Sequence, residues 1–550
     1  MSQNRVITCG WIALWLASLV VALFCRPPLP IDETRYLSVA WEMWQSHQFL
    51  VPHINGLPYS HKPPLLFWLI QAGWGLLGVN VWSARLTAPL FGLFSVLLAV
   101  RLARLLWPDR PQLHQNIPYL VLGTCFWSVY STLTLFDMLL ACFSLVAWIG
   151  LCLVQSTKRC MGWGLYAAAT GLGILAKGPI ILVYIVPPAL LAPWWTSKMQ
   201  AGSWRRWYGG FVLAIAAGAA LALAWSIPAA KAGGEQYTQA ILLGQTAGRM
   251  VHSFAHQRPF YWYLLLVPLL FFPWSFFLPI WSGLRRLPLS PAVRFCLSIL
   301  APGFLALSAI SGKQAHYLLP LLPAAALLIA RASCEGSEGP EGKTGPSRAL
   351  PLLLAMLALL LTIAPMLPLK GGDSEMLAYL PPWLGLGPLV AAIVLSFGKA
   401  EQKNSIVWTA TTLQLVLIFL HLALARPLHR LYEVTAIGIS IHQAQAAGKE
   451  VAVFPARLSD QFQFAGRLTV PLVPQQTFEE IILWAGQHQV HNVLFFLNSK
   501  EYSNLTFNEG CVVQPYKHGW LIFSSAKDIS SFSAQWFSRE HNLSNAHQIK

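Results

Sequence analysis

Continuous apolar runs recur along the chain from residue 6 to residue 425. They fall at 6–25, 84–106, 115–133, 134–154, 161–176, 178–195, 208–228, 260–283, 292–311, 316–331, 349–368, 379–397 and 406–425. Each approaches the roughly 20 residues that cross a bilayer as a helix. A spanning β-strand would alternate apolar and polar positions, and these runs do not. The pattern therefore predicts about thirteen transmembrane helices. The segment 64–79 is shorter, follows Pro63 with Pro64, and holds Gly73, Gly75 and Gly78 with Trp68 and Trp74. It reads as a helix lying at the membrane interface.

The pattern changes after about residue 430. Stretches 434–447 and 477–489 read as helices, and 450–454, 493–497 and 520–524 as strands. The expected fold class is an all-α polytopic membrane protein with a small C-terminal α/β domain. Residues 1–429 form the membrane domain, with 26–83 as its long loop, and 430–550 form the soluble one. The tail carries no catalytic motif. Its Asn504-Leu505-Thr506 matches a glycosylation sequon that has no meaning in a bacterium.

Composition agrees with this reading. Of 550 residues, 55% are hydrophobic and 11% charged, and mean hydropathy is +0.53. A soluble domain carries about 25% charged residues, so a soluble enzyme is excluded, as is a disordered chain. Segment 6–25 resembles a signal peptide, but Cys25-Arg26-Pro27-Pro28 is no small-residue cleavage site. It reads as an uncleaved first helix. Cys125, Cys142, Cys152 and Cys296 lie in apolar runs, Cys511 lies in the polar tail, and no CxxC occurs. Disulfide, redox and structural-zinc readings are accordingly weak.

Charge sets the topology. The net charge is +16, with no basic stretch interleaved with aromatics as nucleic acid would require. With 64–79 out of the count, the basic connectors 101–110, 158–159, 198–206, 285–294, 331–348 and 399–403 fall on one side. The positive-inside rule makes that side cytoplasmic. The opposite face receives 26–83, Asp137, Lys177, the 229–259 loop, 311–316, 369–378 and the tail. In a bacterium that face is periplasmic and the membrane is the inner one. The Gly-, Ser- and Pro-rich stretch 333–348 reads as a flexible cytoplasmic loop.

Polar residues concentrate on this outer face. Pro30-Ile31-Asp32-Glu33-Thr34-Arg35-Tyr36 reads as a helix start, with Asp32 as the N-cap and Arg35 in the first turn. Tyr36, Leu37, Ala40, Trp41 and Trp44 follow on one face of an amphipathic helix. Taken alone, Asp32 only caps that helix and Arg35 pairs with Glu33 or lipid. The motif has company, however. Further on come Tyr59-Ser60-His61-Lys62-Pro63, Phe136-Asp137, Ala176-Lys177-Gly178, Gly248-Arg249, His252 and His256, Pro259-Phe260-Tyr261-Trp262-Tyr263, and Gly312-Lys313-Gln314-Ala315-His316-Tyr317. A single Lys or Arg at a span end snorkels to the headgroups. Five cations on one face, beside an acid, point instead to an anionic ligand.

These motifs, in this order over residues 26–330, resemble the 4-amino-4-deoxy-L-arabinose lipid A transferases. These are GT-C-class enzymes related to the protein O-mannosyltransferases. The resemblance implies a GT-C-like fold and transfer of a sugar from a polyprenyl-phosphate donor to a lipid A-type acceptor. It makes Asp32 the essential carboxylate. It places Arg35, Lys62, Lys177, Arg249 and Lys313 around the donor phosphate, with Tyr36, Tyr59 and Tyr317 assisting, and Asp137 joins that substrate-binding set. The family commonly has Glu before the Lys-Pro, where it joins a loop His in a metal site. Here that position is His61. A zinc site at His61 and His256 is one outcome of the change, and loss of the metal is the other.

The chemistry is one displacement at an anomeric carbon. It needs an aligned acceptor, cations on the departing phosphate, and a carboxylate on the acceptor side. Asp32 would serve as general base or orienting group, and a single displacement inverts the anomeric centre. The alternatives are a protein O-glycosyltransferase, with Ser or Thr as acceptor, and a flippase for a lipid-linked sugar. A flippase predicts mid-span charges and repeat symmetry; the charges here lie at span ends.

Overall fold

The computed structural model describes residues 3–156, 158–196, 203–241, 257–337, 347–367, 379–397, 404–498 and 510–529. Among these, seven helices are long and apolar enough to cross a membrane: Val81–Leu106, Asp137–Val154, Ser203–Gln239, Pro291–Ala309, Ala315–Gly336, Ala349–Met366 and Ser405–Ala446. Shorter apolar helices are Gly10–Cys25, Leu65–Leu77, Ile181–Leu190 and Pro382–Phe397. Large apolar side chains face outward, including Val212 at 63% and Leu213 at 71% exposure. A lipid-facing surface accounts for them.

The chain divides into two compact units. The first comprises Met1–Phe24, Tyr59–Leu361 and Trp383–Leu422, and the second Cys25–Pro58, Thr362–Pro382 and Ala423–Lys550.

In the first unit, α1 (Gln3–Cys25) ends on an arginine. The buried Arg85 guanidinium donates to the Leu23 carbonyl at 2.9 Å and the Ala22 carbonyl at 3.3 Å. Those carbonyls lack helical partners, so a cation there satisfies them and the helix dipole together. Two expected spans are interrupted. Run 115–133 becomes Pro111–Gly123 and Cys125–Tyr130, parted where Thr124 turns extended. Run 260–283 becomes Trp262–Leu270, Trp274–Phe276 and Leu278–Arg286. Pro273 and Pro279 stand at those breaks, where the missing N–H ends a helical ladder.

The pair that organises the site is α2 (Asp137–Val154) and α3 (Arg159–Lys177). A short connection makes them antiparallel. They pack backbone to backbone at Gly150 and Gly162. A Cβ on Gly150 would lie 2.7 Å from the Gly162 carbonyl, and one on Gly162 would lie 2.6 Å from that of Gly150. Small residues permit such approach between membrane helices. The start of α2 and the end of α3 therefore meet at one end of the pair.

The second unit holds a five-stranded sheet in the order Val473–Pro474, Val451–Phe454, Asn492–Asn498, Gly519–Ser525, Val512–Tyr516. The first three strands run parallel and the last two pair antiparallel. Alternation along the central strand buries both faces. Leu494 packs with Ile437 and Ile441 of helix Thr435–Ala446, while Val493 and Phe495 pack with Ile481 and Ala485 of helix Phe478–Gln487. The latter helix opens with a capping box between Thr477 and Glu480.

Helix Asp32–Ser46 belongs to this unit. Its amphipathic face has an occupant within the protein: Tyr36, Leu37 and Ala40 are buried, and Trp41 Nε1 donates to the Leu468 carbonyl at 2.9 Å. The expected N-cap differs. Ile31 is the cap residue and Asp32 is the first helical residue, making no capping hydrogen bond. The first turn is instead ordered by Glu33, whose carboxylate accepts from Leu29 N at 3.0 Å and pairs with the buried Arg26.

Candidate active site

In the first unit, opposite charges end the two antiparallel helices. Asp137 begins α2, where the helix dipole favours an anion, and Lys177 ends α3, where it favours a cation. Gly178, with φ of 82°, stops α3, and its N–H reaches the Ile174 carbonyl at 2.7 Å. Lys177 Nζ donates to Asp137 Oδ1 at 2.6 Å, with both side chains under a tenth exposed. His316 Nε2 lies 3.9 Å from Asp137 Oδ2. Lys177 Nζ also stands 4.7 Å from the centre of the Tyr317 ring, a cation–π contact.

Aromatic rings extend this cluster. Lys62 Nζ lies 5.8 Å over the Phe136 ring, next to Asp137. Phe136 meets Phe67 edge-on at 5.7 Å, Phe67 meets Tyr59 at 6.2 Å, and Tyr59 meets His61 at 5.2 Å. Two hydroxyls fix the segment that carries His316 and Tyr317. Tyr184 donates to the Tyr317 carbonyl at 2.8 Å, and Tyr263 to the Gln314 carbonyl at 3.0 Å. The fold thus brings Tyr59, His61, Lys62, Asp137, Lys177 and Tyr317 into one chain of contacts. Lys313 is buried beside this segment, its ammonium donating to the carbonyls of Arg258 at 2.9 Å and Ile310 at 2.5 Å. Arg249, His252 and His256 lie outside the described residues. Among the described residues no group of three or more His, Cys, Asp or Glu is placed to hold a metal.

The second unit holds Asp32, Arg35 and Tyr36. Asp32 is exposed, and the Tyr36 hydroxyl donates to its Oδ1 at 3.3 Å. Arg35 Nε lies 3.4 Å from Asp460 Oδ2. Burial pushes the Asp460 carboxyl up, and the Arg35 charge pulls it back. Neither Glu33 nor lipid is that partner of Arg35. Sequence reasoning assigned no role to Asp460, because nothing along the chain couples the tail to residue 35. It also passed over His316, although its motif was in view: a His between a conspicuous Lys and Tyr.

Similarity to known proteins bears on this arrangement. Residues 61–228 match the family model described as dolichyl-phosphate-mannose-protein mannosyltransferase. The undecaprenyl phosphate-alpha-4-amino-4-deoxy-L-arabinose arabinosyl transferase of Pseudomonas aeruginosa is 32% identical over 311 residues, 55% of each chain. That of Edwardsiella ictaluri is 28% identical over 337 residues, 58% of this chain and 59% of the relative. Over these stretches the chain is similar to the aminoarabinose transferases. The match spans little more than half the length of these curated relatives. Across nearly the whole chain the fold is theirs. The apo crystal structure of ArnT from Cupriavidus metallidurans superposes with a TM-score of 0.71 at 20% identity, covering 94% of this chain and 97% of that one. ArnT bound to undecaprenyl phosphate gives 0.68 at 20% identity, covering 94% and 98%. The resemblance read from the loop motifs is borne out, and so is the GT-C-like helical fold with its small C-terminal domain.

Proposed function

We propose that the protein is an inner-membrane glycosyltransferase that moves a sugar from a polyprenyl-phosphate donor to a lipid A-type acceptor on the periplasmic face. The observation that carries this reading is the convergence of Lys62 and Lys177 with Tyr59, Asp137 and Tyr317 at the ends of apolar helices. Buried ionisable groups at membrane depth are costly and mark function. The kinship with undecaprenyl-phosphate sugar transferases supports a lipid-phosphate donor.

In the reaction an acceptor oxygen attacks the anomeric carbon. The bond from that carbon to the phosphate oxygen breaks, and the polyprenyl phosphate leaves with the bonding pair. Cations offset the charge gathering on the leaving phosphate. Asp32 takes the proton of a hydroxyl acceptor or orients an acceptor that is already anionic. One displacement inverts the anomeric centre.

The similarity of residues 61–228 to protein mannosyltransferases favours a second reading, with a protein Ser or Thr as acceptor. Both readings meet one experiment. Membranes containing the protein are given radiolabelled polyprenyl-phosphate sugar, and the label is followed by extraction and mass spectrometry. An added pentosamine or hexose on lipid A is the expected result. Label on protein moves the conclusion to the second reading, and label that crosses the bilayer unchanged overturns both in favour of a flippase.

A further inference from the structure

Three cations gather in the second unit, two of them on its C-terminal domain. Arg457 projects from the turn Ala456–Asp460, whose last residue pairs with Arg35. The next residue, Gln461, accepts a hydrogen bond from the Tyr516 hydroxyl at 2.5 Å. Lys517 follows Tyr516, and its Nζ lies 5.3 Å from the centre of that ring. The path from Arg35 to Lys517 is thus a run of direct contacts. Arg35 sits in the same first helical turn as the exposed Asp32.

Two features of Lys517 call for a cause. It occupies the two-residue turn between strands Val512–Tyr516 and Gly519–Ser525 with φ of 53°. Gly and Asn suit such a turn, and a long side chain there is strained. Its ammonium is half-buried, and burial with the like charges of Arg457 and Arg35 pulls its pKa below the ordinary lysine value, Asp32 acting the other way. A strained, partly desolvated lysine facing two guanidinium groups is costly to the free protein and favourable to an anion.

We infer that Lys517, Arg457 and Arg35 form a phosphate-binding subsite that holds the phosphate monoester of the acceptor lipid beside Asp32. This rests on the transferase reading above. The physical need is plain. An anionic acceptor brought up to a carboxylate is repelled, and cations on the far side of its phosphate offset that repulsion. Asp460 holds the Arg35 side chain in place and leaves Arg457 and Lys517 facing the ligand. Among the described residues neither of those two has a carboxylate within ion-pair distance.

The test uses the full-length protein in detergent, with Lys517→Gln, Arg457→Gln, the double variant, and Lys517→Arg as the charge-keeping control. In transfer assays the double variant raises KM for a phosphorylated lipid A acceptor roughly ten- to hundredfold, the scale of losing charge-assisted hydrogen bonds. KM for the donor stays put, and Lys517→Arg recovers most of the loss. A rise in donor KM instead, or an unmoved acceptor KM, overturns the assignment. A second measurement stands apart from transfer: inorganic pyrophosphate raises the unfolding temperature of the parent and not of the double variant. Equal stabilisation of both removes the subsite. If the parent moves no sugar at all, the transferase reading falls, while the pyrophosphate comparison still decides whether these cations bind phosphate.

Discussion

Lys177 Nζ lies 2.6 Å from Asp137 Oδ1, with the two side chains 9% and 3% exposed. Their helices run antiparallel, so two residues far apart in sequence close one end of the pair. Such a bond is weak grounds for stability as a whole, but breaking it from one side strands a buried charge. Lys177→Met should destabilise the protein by about 3–5 kcal/mol. The double variant Asp137→Leu/Lys177→Met should recover much of that loss while remaining inactive. Unfolding of the four proteins of this cycle in detergent measures the coupling. Additive losses would mean that the two groups do not hold one another.

Asp32 stands in the opposite situation. It is exposed, and the Tyr36 hydroxyl reaches it at 3.3 Å. Asparagine keeps an oxygen within reach of the Tyr36 hydroxyl and the position is exposed to water, so Asp32→Asn should leave the unfolding temperature unchanged. Transfer should fall roughly 10²–10⁴-fold, the usual contribution of a positioned acid or base. Turnover at the parent rate by purified Asp32→Asn protein would remove this carboxylate from the mechanism.

The approach of α2 and α3 predicts a loss of a different kind. A Cβ on Gly162 would meet the Gly150 carbonyl at 2.6 Å and Val154 Cγ2 at 2.8 Å. The first of these contacts is to backbone, which cannot rotate away. Gly162→Ala should therefore force the helices apart at a cost of about 1–3 kcal/mol, the range for overpacking. Because Asp137 and Lys177 lie at the other end of the pair, activity should fall less than stability does. Thermal unfolding and transfer rate, measured on one preparation, separate the two.

The legibility of the site follows the same division. The apolar runs 134–154 and 161–176, separated by Lys158-Arg159, already placed Asp137 and Lys177 on one face. Hydrophobic period and charge alternation carry such facts, because the bilayer imposes them. The helix after Asp32 was also visible, and its apolar face suggested an interface. Its actual neighbours, Leu468 and Phe464, were not visible, since an amphipathic stripe does not say what covers it. Asp460, Arg457 and Lys517 were hidden for a related reason. They sit on a short turn and a hairpin tip of a domain whose sequence carries no motif, and only the sheet brings those loops together.

Lys517 gives the protein a dependence on pH that can be read against a variant. Burial, Arg457 and Arg35 lower its folded pKa below the unfolded value near 10.5. The sign follows from linkage: the folded state holds this proton less tightly than the unfolded chain does, so the folded form gains as the proton is lost. The contribution is full above the unfolded pKa and is lost as pH falls through the folded one. At pH 7 the charged ammonium is thus a cost to the C-terminal domain. Lys517→Gln should then unfold at a higher temperature than the parent at pH 7. The gap should narrow steadily toward pH 10, as the parent sheds the proton and the variant has none to shed. Pyrophosphate at pH 7 should narrow it as well, by neutralising the same cost in the parent. A gap independent of pH, or no gap at all, would leave the cluster of like charges without an energetic effect, since glutamine keeps the Cβ that strains the turn.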